Sequence, residues 1–108
     1  MAIFSPKTPT ESELFTADFS RVLGKGVVIT SGTVTCSVLT GTDATPSAMI
    51  SGSAVPTQNE AGEVGKCLSQ KITGGILGNR YLVSFKATAS DGTSPEIQGD
   101  VWIAAQVQ

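Results

Sequence analysis

The side chains that most often carry out catalysis are scarce in this chain. Its 108 residues include no histidine and only two cysteines. Without histidine, neither a Ser-His-Asp nor a Cys-His catalytic arrangement is available, and zinc sites that use histidine are excluded. Two cysteines are also too few for a four-thiolate zinc site. The composition therefore argues against the commonest forms of nucleophilic and zinc-assisted catalysis.

The remaining chemical candidates are carboxylates and a glycine-rich segment. The nine carboxylates are scattered along the chain, and no Asp-x-Asp-x-Asp spacing indicates a calcium loop. Asp43 and Asp91 are better interpreted as turn formers, because an Asp side chain can bond its own backbone two residues on. Residues 74–78 lack the Gly-Lys-Ser/Thr ending of a phosphate loop. We therefore expect no enzyme, with no catalytic residue, no metal site and no cofactor.

The two thiols are predicted to point to different sides of their strands. Cys36 alternates in phase with Val34, whereas Cys67 is out of phase with Leu68 and Ile72. One thiol would then face the core and the other would face away from it. We predict two free thiols, and a disulfide formed in an oxidising compartment is the alternative.

Charge and composition exclude further classes of function. A net charge of -2 provides no basic field for nucleic acid. The apolar runs are only a few residues long, far short of a membrane span, and residues 1–7 lack the hydrophobic core of a secretion signal. A chain rich in Thr, Val, Ser and Gly favours strands and turns over helices. Its length suits one domain with a single core.

The most regular stretch, residues 74–107, predicts two long strands joined by a turn. Apolar and polar residues alternate over residues 81–89 and again over residues 97–107, as they do in strands with one buried face. Residues 90–95 have the composition of a turn. A hairpin centred near Gly92 would pair these residues: Val83 with Val101, Phe85 with Gly99, and Leu82 with Trp102.

The rest of the chain predicts shorter strands and an N-terminal arm. Residues 1–12 contain two prolines and no periodicity, so we expect an extended arm, with a disordered terminus as the alternative. Residues 14–23 predict a first strand, or else a short helix, and Gly32 predicts a bulge or bend in the next strand. Residues 56–65 predict the longest loop.

This pattern predicts an all-β fold. About seven short antiparallel strands with frequent turn signals are typical of a two-sheet β-sandwich, here spanning residues 13–108. Tyr81 follows a glycine-rich corner at the start of a strand, where immunoglobulin-like sandwiches keep a tyrosine whose hydroxyl bonds back to the corner backbone. Val83 occupies the position at which antibody domains carry a cysteine. The prediction is therefore an immunoglobulin-like β-sandwich without that disulfide.

Two sets of short motifs suggest a family. The first set is Pro6-Lys7-x-Pro9-x-Glu11, Leu14, Asp18-Phe19-Ser20-x-x-Leu23 and Ile29; the second is Gly74-Gly75-x-x-Gly78-x-x-Tyr81 followed by Asp91-Gly92. In this order the chain resembles small bacteriophage virion proteins of the fibre–tail adaptor or neck type. It departs from them in having Phe19 where a tryptophan is typical, and in a longer segment from 40 to 65.

The resemblance implies a structural virion protein with an immunoglobulin-like domain. Such a protein would assemble in the host cytoplasm as a homo-oligomeric ring at the portal–tail–fibre junction, with portal, tail or fibre subunits as partners and no contact with nucleic acid or membrane. We expect Leu82 and Trp102 to form the centre of a subunit contact. The alternatives are a carbohydrate- or cell-surface-binding module and a head decoration protein.

Overall fold

The computed structural model describes residues 2–3 and 12–103, with side chains for residues 12–103, and confirms an all-β chain. The strands are β1 (Ala2–Ile3), β2 (Ser12–Asp18), β3 (Ile29–Thr40), β4 (Ile50–Thr57), β5 (Cys67–Thr73), β6 (Arg80–Ala89) and β7 (Glu96–Trp102). One 3-10 turn, Pro46–Met49, precedes β4. No helix in the described ranges is long and apolar enough to cross a membrane.

The strands form two sheets. One has the order β1-β7-β6-β3 and the other the order β2-β5-β4. All pairs are antiparallel except β1 with β7, which is parallel. The arrangement is compatible with a two-sheet sandwich, with six strands of seven or more residues and the two-residue β1.

The core lies between the sheets and follows the alternation in the sequence. On β6, Tyr81, Val83 and Phe85 are fully buried, and Leu68 and Ile72 of β5 belong to the same cluster. Burial of apolar side chains from both sheets is the main stabilising contribution, at roughly 25 cal/mol per Å² removed from water. The other buried members are Phe15, Ala17, Phe19, Leu23, Ile29, Cys36, Met49, Ala87, Ala89, Val101 and Ile103.

The first long strand is shorter than predicted. β2 ends at Asp18, and the chain then turns through residues 20–23 instead of continuing as a strand. The Asp18 carboxylate accepts a hydrogen bond from the backbone N–H of Ser20 at 2.9 Å, and the backbone N–H of Leu23 bonds the carbonyl of Phe19. The side chain of Asp18 thus satisfies a backbone donor that a strand would have used.

Gly32 is not itself a bulge, contrary to our prediction. It pairs in register with Ala87, and the irregularities of β3 lie between Ile29 and Ser31 and between Val38 and Thr40. A Cβ at position 32 would approach a Leu68 methyl group at 2.5 Å. Glycine is therefore required here because a core side chain of the opposite sheet comes close to the backbone.

The predicted hairpin exists, but its register was wrong by two residues. Val83 pairs with Gly99 and Phe85 with Ile97, so Leu82 lies opposite Asp100 and not opposite Trp102. The turn is a three-residue loop closed by the Ala89 and Thr93 backbones, with Gly92 at a φ of 89°. Such loops place a type I turn before a residue in the left-handed region. The centre of the hairpin therefore falls at Asp91, and the shift of two leaves both apolar faces inward.

Part of the predicted arm belongs to the sheet. β1 pairs with Gly99 and Asp100 of β7, and Ser12 is already the first residue of β2. The two residues of β1 thus add a strand to this domain's own sheet, which the sequence did not predict. Residues 4–11 of the arm lie outside the described residues.

Candidate functional site

The most distinctive exposed feature is a group of four residues on the outer face of β6 and β7, which we call the Trp102 surface: Arg80, Leu82, Asp100 and Trp102. Arg80 and Trp102 are register partners, and Leu82 lies opposite Asp100. Trp102 is 43% exposed. Trp is uncommon on a solvated sheet face and is enriched at protein interfaces. The expected direct pairing of Leu82 with Trp102 is absent, but both residues lie on the same outer face.

Arg80 holds this surface together. Its guanidinium donates to the Asp100 carboxylate at 3.0 Å and lies 5.5 Å from the centroid of the Trp102 ring. An exposed ion pair contributes little to stability, about 0–1 kcal/mol. An exposed cation–π contact contributes about 0.5–1 kcal/mol. The main effect of these contacts is to restrict the orientation of the indole on the outer face.

Asp100 completes the arrangement. One of its carboxylate oxygens bonds Arg80, whereas the other is buried and has no hydrogen-bond partner among the described residues. This Arg–Asp–Trp arrangement could not be predicted from the sequence, because Arg80 and Asp100 are far apart in the chain and depend on the hairpin register for their contact.

The tyrosine corner fixes the start of β6, and our prediction for Tyr81 is confirmed. The fully buried hydroxyl accepts a hydrogen bond from the backbone N–H of Ile76 at 3.0 Å. It also accepts one from the Asn79 amide at 3.3 Å and donates to the Asp43 carboxylate at 2.8 Å. Burial, followed by the bond to Asp43, raises the pKa of Tyr81. The hydroxyl therefore acts as a junction between two loops.

Asp43 was assigned to a turn from sequence, and it does have that role. One carboxylate oxygen accepts from the backbone N–H of Thr45 at 2.9 Å, and the other accepts from Tyr81. An open cleft of about 310 Å³ lies beside these groups, with Met49 and Gly75 in its wall. Because both oxygens of Asp43 are already bonded inside the domain, the cleft does not present a free carboxylate to a ligand.

Cys36 lies on the inner face of its sheet and Cys67 on the outer face of the other sheet, but both thiols are buried. Cys36 is 8% exposed and belongs to the core, with its sulfur 3.9 Å from that of Met49. Cys67 is 3% exposed on the outer face of β5, between its register partners Asp18 and Thr57. The expectation that Cys67 would face away from the core is confirmed, but its side chain is nevertheless buried. Both thiols are free in the described part of the chain.

Burial and nearby charge make both thiols weakly acidic. Desolvation, and then the charge of Asp43, raises the pKa of Cys36 to about 11. Desolvation, and then the charge and hydrogen bonding of Asp18, raises the pKa of Cys67 to about 11. Reactive cysteines have a lowered pKa, so these two thiols are suited to packing and not to nucleophilic chemistry. Within residues 2–3 and 12–103, no three His, Cys, Asp or Glu side chains are grouped to hold a metal ion.

Comparison with known proteins adds no relative to this description. No family profile, no curated protein and no solved structure matches the chain.

Proposed function

We propose that this chain is a structural protein of a tailed bacteriophage virion, an adaptor at the portal–tail–fibre junction that acts through protein–protein contacts. The observation that carries the proposal is the Trp102 surface: an exposed indole in contact with Arg80 on the outer face of a sheet, a residue type that often dominates the binding of another protein subunit. The protein has no catalytic role in this proposal, and its partners are portal, tail or fibre subunits.

Several described residues of the two motif sets have definite structural roles, which supports the proposal. Phe19 of the Asp-Phe-Ser triplet is fully buried, and Asp18 caps the turn that follows it. In the second motif, Gly74, Gly75 and Gly78 all have positive φ angles. These residues form the corner that the hydroxyl of Tyr81 closes. The similarity thus involves residues that determine the fold, and not only common turn residues.

We further propose that the domain is immunoglobulin-like. The orders β2-β5-β4 and β7-β6-β3 correspond to the B-E-D and G-F-C strands of such domains. The corner tyrosine stands at the start of β6, the strand that corresponds to F. The core is filled at Val83, where antibody domains carry a disulfide cysteine.

The proposal predicts that the protein is a component of purified particles. Particles would be banded from a lysate of the host that expresses the encoding genome, and the protein would be quantified by mass spectrometry against the major capsid protein. We expect a fixed, low copy number per particle, with immunogold label at the tail junction. A protein abundant in the lysate but absent from banded particles would contradict the proposal, and label spread over the head would indicate a decoration protein instead.

A second candidate function, carbohydrate or cell-surface binding, rests on the exposure of Trp102 on the same outer face as the polar side chain of Asp100. Sugars stack on flat aromatic faces, but the guanidinium of Arg80 already lies over the Trp102 ring. A glycan array would test this candidate: glycan binding that is lost in Trp102→Ala would favour it over the structural function.

A further inference from the structure

β3 lies at an edge of its sheet, and only one of its two sides is paired. Its 12 residues form the last strand of the order β1-β7-β6-β3, and they pair with β6. No strand of the described ranges pairs with the other side. The pairing with β6 is regular from Ser31 to Val38, because the shifts in register lie at the two ends. This edge therefore presents a long, regular row of backbone N–H and C=O groups that can accept a further strand.

The other three sheet edges carry features that disfavour pairing between copies of the chain. The outer edge of β7 is paired with β1. β2 has two carboxylates, Glu13 and Asp18, so two copies joined there would bring four negative charges to one seam. β4 contains Pro56, which has no N–H to donate, and its pairing with β5 includes a shift in register. Charges, prolines and bulges are features by which natural sheets avoid joining edge to edge.

β3 has no charge, no proline and no covering strand within the described ranges. Seven of its 12 residues are Ile, Val or Thr, which suit a pleated strand. Thr33, Thr35 and Ser37 form an exposed row on the outer face, whereas Val34 and Val38 are only half-buried against the core. The edge thus combines a neutral polar row with apolar side chains that a further strand would cover.

The inner side of this edge has room for the side chains of an added strand. An open cleft of about 220 Å³ separates the edge of β3 from that of β4 in the opposite sheet. Gly32 and Val34 line one side of the cleft, and Gly52 and Ala54 line the other. A strand added to β3 would lie about 4.8 Å further out. Its inward side chains would therefore cover part of the cleft.

We propose that two copies of this chain associate through β3, with the two β3 strands paired antiparallel across a two-fold axis into one continuous sheet. Such a contact joins the same surface of both copies. Facing residues of an antiparallel pair point to the same face of the sheet, so one residue of β3 lies opposite its own copy. Residue numbers that sum to about 70 centre the contact on the regular part of the strand. Thr35 then faces Thr35, and Thr33 faces Ser37.

The chemistry of the edge favours a second copy as the occupant. A charged strand paired with itself would oppose like charges, but β3 has no charge to oppose. Opposed Thr and Ser side chains form favourable cross-strand pairs. Trp102 lies two strands away, on β7, so a contact along the β3 edge does not use the indole. The proposal therefore goes beyond the proposed function and does not depend on it.

Thr35→Lys and Thr35→Glu, made in the full chain, test the position that faces itself. A contact of one strand pair is small, so we expect the unaltered chain to associate in the upper part of its soluble concentration range. Each variant alone opposes like charges, so its association should require a roughly tenfold or more higher concentration. An equimolar mixture should associate about as readily as the unaltered chain, as a heterodimer that weakens at high salt. Sedimentation velocity measures the association, and different affinity tags identify the heterodimer.

The matched control carries the same substitutions at Thr88, which is exposed on the outer face of β6 and does not lie at an edge. Thr88→Lys and Thr88→Glu should each associate like the unaltered chain, and mixing them should change nothing. The unfolding midpoints of all four variants should stay close to that of the unaltered chain, which separates loss of the contact from loss of the fold. Equal effects at positions 35 and 88 would overturn the proposal, and so would a mixture of the position-35 variants that stays monomeric.

Hydrogen exchange of the unaltered chain tests the same edge without any substitution. At high concentration, the N–H groups of residues 31–38 that point away from β6 should gain protection, and those of β2 should not. A protein that is monomeric at every soluble concentration would contradict the proposal, and so would association that leaves the exchange of β3 unchanged. Both measurements use purified protein, so their failure is distinguishable from absence of the protein in particles, which would contradict the proposed function alone.

Discussion

At the scale of single residues, the Tyr81 hydroxyl couples two loops of the domain. It joins the backbone N–H of Ile76, in the glycine-rich corner, to the carboxylate of Asp43, which lies in a loop 38 positions before Tyr81 in the chain. A buried hydroxyl with a full set of partners is difficult to replace, because each partner left unpaired retains its desolvation cost. Tyr81 therefore stabilises the domain through polar contacts as well as by filling the core.

Tyr81→Phe should lower the free energy of unfolding by about 1–3 kcal/mol, since it leaves the Ile76 N–H and the Asp43 carboxylate without their partner. Urea denaturation monitored by tryptophan fluorescence measures the change. A double-mutant cycle with Asp43→Ala isolates the hydroxyl–carboxylate bond, and the two changes should be less than additive. An unchanged denaturation midpoint for Tyr81→Phe would show that the hydroxyl is not stabilising.

The raised pKa values of the thiols predict lower stability at alkaline pH. Because the pKa of Cys36 and of Cys67 is about 11 in the folded protein against an ordinary value of 9.0, the folded state retains protons that the unfolded chain releases. Their contribution to stability is therefore fully present below pH 9 and is lost as the pH rises through about 11. The raised pKa of Tyr81 acts in the same direction.

The free energy of unfolding, measured by urea titration from pH 8 to 11, should fall, and the double variant Cys36→Ala/Cys67→Ala should show a smaller fall. In the denatured, unreduced protein, alkylation should modify both thiols, and in the native protein both should react slowly. No alkylation after denaturation would show that the thiols are paired. An alkaline fall of equal size in the double variant would show that they do not contribute to the pH dependence.

At the scale of elements, two short connections determine how strands meet. The β6–β7 turn has three residues in its loop, and Gly92 supplies the left-handed conformation that closes it. The loop before β3 is held differently. The ammonium of Lys66, a buried lysine, donates to the carbonyls of Gly24 and Val27 at 3.2 and 2.7 Å.

Gly92→Ala should destabilise the domain by about 1–2 kcal/mol, because an L side chain at a φ of 89° is strained although the space around it is open. Gly24→Ala is the matched control: no left-handed conformation is required there, and its added Cβ meets Val27 at an ordinary 3.4 Å. Thermal or urea unfolding of both variants tests the turn. Equal effects of the two substitutions would mean that the turn conformation does not determine the cost.

Lys66→Met should cost about 1–3 kcal/mol, since it keeps the apolar stem but leaves two carbonyl groups without their donor. The control Lys71→Met lies on β5, which follows Lys66, with its side chain exposed, and should change the stability little. Hydrogen exchange should also show faster exchange in residues 24–28 of the Lys66 variant. Similar unfolding midpoints for the two variants would exclude a stabilising role for the Lys66 ammonium.

At the scale of the whole molecule, the outer face of the β7-β6-β3 sheet is the surface that the proposed function assigns to a neighbouring subunit. Arg80 restrains Trp102 there, and β1 lies along the adjacent edge. Large exposed apolar side chains occur elsewhere too, for example Leu14 on the outer face of the other sheet. Leu14 therefore provides the comparison that separates general apolar exposure from the specific contribution of the indole.

Trp102→Ala should weaken assembly by about 2 kcal/mol or more, as expected for a residue that dominates an interface. The unfolding midpoint of the monomer should change modestly, because the ring is only partly buried in the monomer. Leu14→Ala should leave assembly unchanged. Mass by light scattering and the tryptophan emission of assembled and dissociated forms test this prediction. A red-shifted, water-exposed Trp102 spectrum in the assembled form would contradict it.

The alternation in the sequence was sufficient to predict most of the strands and the face to which their side chains point. Alternation with a period of two places Tyr81, Val83 and Phe85 inward wherever the partner strand lies, because the pleat alone sets that direction. The glycine-rich corner likewise identified the buried hydroxyl of Tyr81 from local sequence. For the same reason, the two-residue error in the hairpin register left every inward residue inward.

Contacts between residues distant in the chain depend on the tertiary structure. The three-residue turn selected the register that brings Arg80 opposite Trp102, and the pairing of β1 with β7 is invisible in a segment without periodicity. The burial of Cys67 on an outer face likewise depends on β2 and β4, which flank it. Local pattern fixes a direction within one strand, whereas these contacts depend on which strands lie side by side and in what alignment.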